Sequence, residues 1–132
     1  MSKPLKRLFI SLPMRDRTID EIRDDLNYIK SYFESAVNEE FELIDTVIVD
    51  EPPIGQDINN CWYLGESIKR LSCADICIFH KDWAKAAGCI MEYGICILYD
   101  IPHIMFVDDT DELLNKYQSI LSRNYYLSSN EE

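Results

Sequence analysis

A nearly all-apolar helix carries the most conspicuous candidate for chemistry, a single carboxylate. The stretch Ala87–Tyr99 is apolar or small on every side of a helical wheel except at Glu92. Such a helix is normally buried, and burying an unpaired carboxylate costs several kcal/mol. At about 100° per residue, Glu92 shares its side with Gly88 and Cys96, so no polar face accounts for it. Either the stretch is not a helix, or Glu92 faces a cavity where its charge is used. We favour the cavity.

Two roles are open to Glu92 near the start of that helix. An ionised, poorly solvated carboxylate in a cleft can act as a nucleophile or a general base. The helix macrodipole favours the ionised form there and is expected to offset the pKa rise caused by apolar walls. The alternative is a supporting Glu92 tied to a backbone amide or an arginine. We expect the catalytic role.

The segment after the first apolar run supplies candidate anion contacts. Ser11 and Arg15 lie in a strand-to-loop turn before a helix N-terminus, with free backbone amides, and these are parts of a phosphate cradle. The chain has no Gly-rich P-loop and no GxGxxG, so the nucleoside-triphosphate and dinucleotide templates are excluded. The alternative is that Arg15 and Arg17 only neutralise the acidic cluster Asp20–Asp25.

Two further segments hold candidate substrate contacts. In His80-Lys-Asp82-Trp83, a base could stack on Trp83 and meet a proton donor or acceptor. A lone histidine in a loop is more often solvated or structural, so Trp83 is favoured over His80. Ser67 or Glu66 could bond a sugar hydroxyl, although an ordinary helix surface explains them as well.

Hydrophobic periodicity predicts the elements that position these residues. Apolar runs predict four strands, at Arg7–Leu12, Phe41–Val49, Ala74–Phe79 and Ile101–Val107. Helical spacing predicts helices from Thr18, as the cap, to Val37, from Cys61 to Ser72 with Asn59 or Asn60 as the cap, over Ala87–Tyr99, and over Asp111–Ser122 with a polar tail at 123–132.

This alternation of strand and helix predicts an α/β protein with a doubly wound parallel sheet of four to five strands in three layers. We expect one domain, residues 1–132. Ligands bind beyond the carboxyl ends of such strands. Glu92 falls at that end of the sheet. Asp75, at the start of its strand, falls at the opposite end, where a structural role is expected.

Composition narrows the cellular setting and the partners. The 132 residues carry a net charge of -11, which disfavours nucleic-acid polymers and anionic membranes as partners. No apolar run of about 18 residues predicts a membrane span, and no export signal is evident. The five cysteines are scattered without a CxxC pair, as expected for free thiols in a reducing cytoplasm.

Taken together, the motifs resemble the nucleoside 2-deoxyribosyltransferase-like superfamily, in particular a small bacterial and phage branch of uncharacterised proteins. The matching pieces span most of the chain in the right order: Phe9-Ile-Ser-Leu-Pro-Met-Arg15, Trp62-Tyr-Leu-Gly-x-Ser67, Ala74-Asp75, Phe79-x-Lys-x-Trp83 and Gly88-Cys-x-x-Glu92. As a set they are fairly specific, and singly none is.

The resemblance implies a flavodoxin-like sheet and a Glu92 that attacks C1′ of a deoxyribose and expels the base. It implies no metal and no cofactor, a nucleoside or nucleotide as the small-molecule partner, and a homodimer or larger homo-oligomer. The substrate contacts expected with it are Ser11, Met14, Arg15, Ser67, Asp82, Trp83 and Gly88. Our leading hypothesis is an N-glycosidic enzyme, either transferase or hydrolase. The alternatives are a catalytically silent nucleotide-binding protein with the same pocket, and a structural or assembly domain.

Overall fold

Strands and helices alternate along the chain. The computed structural model describes the backbone of residues 4–55 and 61–130, and the side chains of residues 4–55 and 61–123. The strands are β1 (Lys6–Ser11), β2 (Phe41–Leu43), β3 (Ile76–Phe79) and β4 (His103–Met105). The helices are α1 (Ile19–Val37), α2 (Trp62–Leu71), α3 (Ala87–Leu98) and α4 (Thr110–Asn130), with a short 3-10 helix at Trp83–Lys85. None of the helices within these ranges combines the length and the apolar character that a membrane span requires.

The strands form one parallel sheet in the order β2-β1-β3-β4, which confirms the predicted doubly wound α/β fold of flavodoxin-like type. Alternate side chains of β1 enter two separate cores. Leu8 and Ile10 pack against α1 and α4, whereas Phe9 packs with residues of α2 and α3. The sheet is therefore the middle of three layers.

Local chemistry fixes both ends of α1. The Thr18 side chain accepts a hydrogen bond from the backbone N–H of Glu21, at 3.1 Å, as predicted for the N-cap. The helix ends at Asn38, whose φ of 54° is left-handed and whose N–H bonds to the carbonyl of Glu34. The predicted caps Asn59 and Asn60 of α2 lie outside the described residues.

The edge strand β2 is shorter than predicted and ends at Leu43 instead of Val49. Its last ladder bond joins the Ile44 N–H to the Leu8 carbonyl. The Asp45 carboxylate then accepts the Val47 N–H at 3.0 Å, so a local side-chain turn takes the donor that a longer strand would use.

The helix α3 is not buried on all faces, and that interpretation of its apolar sequence is wrong. Cys89, Glu92 and Cys96 are buried, but Ile90, Met91, Ile97 and Leu98 are between 48% and 78% exposed. The helix lies on the outside of one layer, so only one side of it can contact the sheet. Apolar composition alone could not show which side that is.

The last helix is longer than predicted and continues through the expected tail to Asn130. No glycine or proline occurs between Asp111 and Asn130, so nothing in the sequence stops the helix where its apolar stripe ends. Leu121, which continues the four-residue spacing of Leu113 and Tyr117, is nevertheless 40% exposed. Ile120 packs against the core in its place.

Asp75 has the structural role expected at the amino end of the sheet. Its carboxylate accepts the backbone N–H of Arg7 at 2.7 Å, and its own N–H bonds to the Arg7 carbonyl at 2.9 Å. The side chain thereby extends the pairing of β1 with the segment that leads into β3.

We predict that Thr18→Ala lowers the free energy of unfolding by about 1 kcal/mol, because it removes the cap acceptor for Glu21. Urea denaturation of the two proteins measures the loss. Thr18→Ser keeps the hydroxyl and is the matched control. A Thr18→Ala variant as stable as the wild type would show that the cap contributes nothing.

Candidate functional site

The strand order defines where a ligand would enter. The chain moves outward from β1 to β2 in one direction and from β1 through β3 to β4 in the other, so β1 and β3 flank the topological switch point. Open α/β sheets bind ligands outside the carboxyl ends of these strands. Here those ends are Ser11 and Phe79.

Three elements bring polar side chains together beside this point. Glu92 on α3 is 5% exposed. Its Oε1 accepts the hydroxyl of Ser11, from the end of β1, at 2.9 Å. Its Oε2 accepts the hydroxyl of Ser67, from α2, at 2.9 Å. Two serines thus hold one buried carboxylate, and each carboxylate oxygen has one donor.

The periodicity of each element explains this convergence. Ser11 follows Phe9 by two residues, so both point to the α2 and α3 side of the sheet. Ser67 lies one helical turn before Leu71, and Glu92 one turn before Cys96. Both of those residues are buried in the same core. The three polar groups therefore lie at the rim of one apolar layer.

Burial determines the electrostatics of the carboxylate. Loss of solvent raises the pKa of Glu92 above its usual value, while the hydrogen bonds from Ser67 and Ser11 oppose that rise. Among the described residues, no ion pair includes Glu92. Burial is the largest of these effects on the pKa of Glu92.

Cys89 is a neighbour that the sequence analysis did not include in the site. It lies one helical turn before Glu92, is 2% exposed, and has its thiol within hydrogen-bonding reach of Ser11. Burial raises the pKa of the Cys89 thiol to about 11, so it is protonated at neutral pH and is a poor nucleophile. The i, i+3 spacing from Glu92 was the signal that could have placed it here.

Open space is found at Gly88 on the surface of α3, whereas Glu92 itself is buried. Gly88 lies one turn before it on the same side, and a Cβ added at Gly88 would meet no atom within 4 Å. A glycine here thus leaves the approach to the first turn of α3 open. None of three clefts lined by described residues, of about 280, 420 and 190 Å³, has Glu92 in its lining, so they do not provide the cavity expected in front of Glu92.

His80 faces the other side of the sheet, away from Glu92. It follows Ile78, which belongs to the α1 and α4 core, and its Nε2 lies 3.4 Å from the carboxylate of Asp25 on α1. Its Nδ1 accepts the backbone N–H of Asp82 at 3.0 Å. Among the described residues, the contacts of His80 are thus with Asp25 and Asp82, and none joins it to Glu92.

A cleft of about 420 Å³ opens on that side of the switch point. Its polar residues already pair with one another: Arg17 bonds to Asp25 at 2.7 Å, and Asp82 lies 3.3 Å from Lys85. This proximity to Lys85 lowers the pKa of Asp82. The alternative proposed for Arg17, neutralisation of the acidic cluster, agrees with its contact to Asp25.

Trp83 is held in an aromatic cluster rather than standing free in the loop. Its ring lies 4.7 Å from that of Tyr93 at an angle of 31°, and 5.8 Å from that of Phe79 in an edge arrangement. The side chain is half-buried against the α2 and α3 core. Part of its surface is therefore already used for packing.

The loop after β1 holds two candidate substrate contacts, Met14 and Arg15, and their environments differ. Met14 is half-buried and packs against the α1 and α4 core. Arg15 is exposed and pairs with no carboxylate in the described part of the chain. Asp16 follows with a left-handed φ of 61°, a conformation that Asp tolerates better than most residues.

Compared with protein-family models, with curated proteins and with solved structures, the chain gives no match in any of the three. Among the described residues, no group of three or more His, Cys, Asp or Glu side chains is arranged to hold a metal ion.

We predict that Glu92→Gln stabilises the protein by about 1 kcal/mol at pH 7.5, as often found when a strained functional group is removed. Since folding raises the pKa of Glu92, the charged form opposes folding above that pKa, and the cost vanishes when the carboxyl is protonated in both states. The gain should therefore shrink as the pH falls towards 4.

Urea denaturation at several pH values measures this difference. Glu42→Gln, at an exposed carboxylate on the edge strand, is the matched control and should show no such trend. A Glu92→Gln variant that is less stable than the wild type at pH 7.5 would mean that the serine bonds outweigh burial.

Proposed function

We propose that the protein cleaves the N-glycosidic bond of a nucleoside or nucleoside 5′-monophosphate, with Glu92 as the nucleophile. The observation that carries the proposal is a buried carboxylate that has no cationic partner among the described residues and is held at the sheet's switch point by Ser11 and Ser67. A structural carboxylate at this depth would normally be paired with a cation.

The chemistry that we propose proceeds in two displacements. A Glu92 oxygen attacks C1′, the C1′–N bond breaks, and its electron pair leaves with the base, which takes up a proton. The resulting sugar ester is then released by water, which gives the free sugar, or by a second base, which gives a new nucleoside. The two outcomes correspond to a hydrolase and a transferase.

The hydroxyls of Ser11 and Ser67 have two roles in this scheme. Both donate to the charged form of Glu92, so they favour ionisation against the effect of burial. They also fix the orientation of the carboxylate, which favours attack from a single geometry. The open surface at Gly88 is where the sugar would approach.

The remaining contacts are proposals of the same kind. Arg15 is an exposed cation next to the switch point and is suited to a 5′-phosphate, although Asp16 beside it opposes an anion. Trp83, Asp82 and Met14 stay candidate substrate contacts. The expected location in the cytoplasm and the expected homo-oligomer also belong to this proposal.

A second candidate function is a nucleotide-binding protein without turnover. The observation that favours it is that each Glu92 oxygen already accepts a serine hydroxyl, which reduces the nucleophilicity of a carboxylate. Such a protein would bind nucleosides or nucleotides in the same place and release no base.

We predict that incubation with deoxynucleosides and their 5′-monophosphates yields free base, and that Glu92→Gln lowers kcat at least about 1,000-fold because the nucleophile is lost. Chromatography of the products measures the rate. Glu42→Gln is the matched control and should retain the wild-type rate. Binding by calorimetry with no base released would support the second candidate and rule out the enzyme.

We also predict that Ser67→Ala moves the acidic limb of the kcat/KM profile to higher pH. The variant loses a donor to the charged carboxylate, so the pKa of Glu92 rises further and less nucleophile is ionised at a given pH. Ser67→Thr keeps the hydroxyl and is the control. An unchanged limb with a raised KM would instead assign Ser67 to the sugar.

A further inference from the structure

The strand β4 lies at one edge of the sheet and pairs only with β3. Two hydrogen bonds fix its register: the Cys77 N–H donates to the Pro102 carbonyl at 2.9 Å, and the Phe106 N–H donates to the Phe79 carbonyl at 2.8 Å. In a parallel ladder with this register, the backbone groups of Ile104 point towards β3. Those of the residues on either side of Ile104 therefore point outward.

The outward backbone groups belong to His103 and Met105. Within the described part of the chain, no hydrogen bond engages the N–H or the C=O of His103, or the N–H of Met105. The Met105 carbonyl has a long contact, at 3.5 Å, from the Lys116 ammonium group. Three backbone groups of β4 are therefore available for pairing with another strand.

A cleft of about 280 Å³ lies at the start of this edge and is lined by Ile97 of α3 together with Ile120 and Arg123 of α4. The helices α3 and α4 pack on opposite faces of the sheet. Residues of both helices can line one cleft only beyond the edge of the sheet. The cleft is therefore a groove between the two helix layers, with the amino end of β4 at its base, and we call it the β4 groove.

We propose that the β4 groove binds an extended peptide of another protein, which pairs antiparallel with β4 and ends in a free carboxylate beside Arg123. The proposal does not depend on the glycosidic function, because the groove does not include Glu92. Three features favour this occupant: the outward backbone groups, the apolar side chains on both walls, and the cation at the end of the groove.

The backbone groups match an antiparallel strand. A peptide residue placed opposite His103 would exchange two hydrogen bonds with it, through the N–H and the C=O of each residue. The peptide residue two positions earlier would accept the Met105 N–H. Exposed sheet edges bind extended peptides in this way, and the main-chain hydrogen bonds supply affinity that does not depend on the peptide sequence.

The walls of the groove determine which side chains fit. Successive side chains of a strand point to opposite faces of the sheet. The peptide side chain opposite His103 would point to the α3 layer, where Ile97 is half exposed. The next and last side chain would point to the α4 layer, towards Ile120. Both walls are apolar, so the last two residues of the peptide should be apolar.

The charge at the end of the groove sets the direction of the peptide. The Arg123 guanidinium lies 3.9 Å from the Asp100 carboxylate, and the two side chains are 73% and 86% exposed. Such an exposed pair is weak, so a ligand carboxylate can replace Asp100. An antiparallel peptide brings its carboxylate to Arg123, whereas a parallel one would bring its ammonium group there. The net charge of -11 favours a single carboxylate over an acidic run.

Amide hydrogen exchange, measured by NMR on the dilute protein, tests whether the edge is open. We expect the N–H of Ile104 to be protected at least about 100-fold more than those of His103 and Met105, because Ile104 alone is bonded within the sheet. Equal protection of all three would overturn the proposal. So would protection that appears only as the protein concentration rises, since a second copy would then occupy the edge.

A library of short synthetic peptides with free carboxyl ends tests the ligand. We expect binders with two apolar residues at the end, and we expect amidation of the carboxylate to raise the dissociation constant at least about tenfold. Arg123→Gln should remove that difference. Arg23→Gln, at an exposed arginine of α1 that also pairs with an aspartate, is the matched control and should preserve it. A library without binders, or binding that Arg123→Gln leaves unchanged, would overturn the proposal.

Met105→Pro tests the pairing with β4 itself. The substitution removes an outward N–H, which an edge strand tolerates, and should weaken the selected peptide about fivefold or more. Met105→Leu keeps the N–H and the apolar side chain and is the matched control. A folded Met105→Pro variant that binds as tightly as Met105→Leu would contradict the pairing. The exchange data and Arg123→Gln test the proposal independently of whether Met105→Pro folds.

Discussion

The candidate site depends on one constraint, which is that the Glu92 carboxylate is buried with no cation beside it in the part of the chain that the structure describes. Glu92 loses water on folding, and two neutral hydroxyls replace it. An arginine in the same place would lower the pKa of the carboxylate and neutralise it as a nucleophile. Serines instead satisfy the oxygens and leave the charge unneutralised, an arrangement more useful for reaction than for stability.

The sheet separates His80 from Glu92, although the two residues lie on neighbouring segments of the sequence. After β3, the side chain of His80 turns to the α1 side, where its Nε2 lies 3.4 Å from the carboxylate of Asp25. Arg17 binds the same carboxylate. Glu92 follows on the α2 and α3 side. Both groups flank the same switch point, yet the layer of strands keeps them from acting on one atom. Successive side chains of a strand point to opposite faces of the sheet, and this alternation determines on which face each residue lies.

The helix α3 has two different apolar sides. One side packs on the sheet through Cys89 and Cys96 and carries Glu92 into the site. The other side is exposed and carries Ile90, Met91, Ile97 and Leu98. A helix that is apolar only towards the sheet needs no more than half of the apolar residues that α3 contains. The packing of α3 on the sheet therefore does not explain why its other side is apolar.

The sequence by itself determined the succession of strands and helices along the chain and the parallel α/β class. It also determined the Thr18 cap and the structural role of Asp75. These follow from local periodicity and capping chemistry, which act over a few residues. The sequence also singled out Ser11, Ser67 and Glu92, but it could not join them, because they are up to 81 residues apart. Their hydrogen bonds exist only once β1, α2 and α3 share one core.

The tertiary structure alone decided which face each residue occupies. His80 and Trp83 follow the same strand, yet one contacts α1 and the other packs against Tyr93. The sequence also could not show that Ile90, Met91, Ile97 and Leu98 are exposed, since a helix that is apolar all round gives no signal of which side is covered. Contact with neighbouring elements makes that choice, and composition does not encode it.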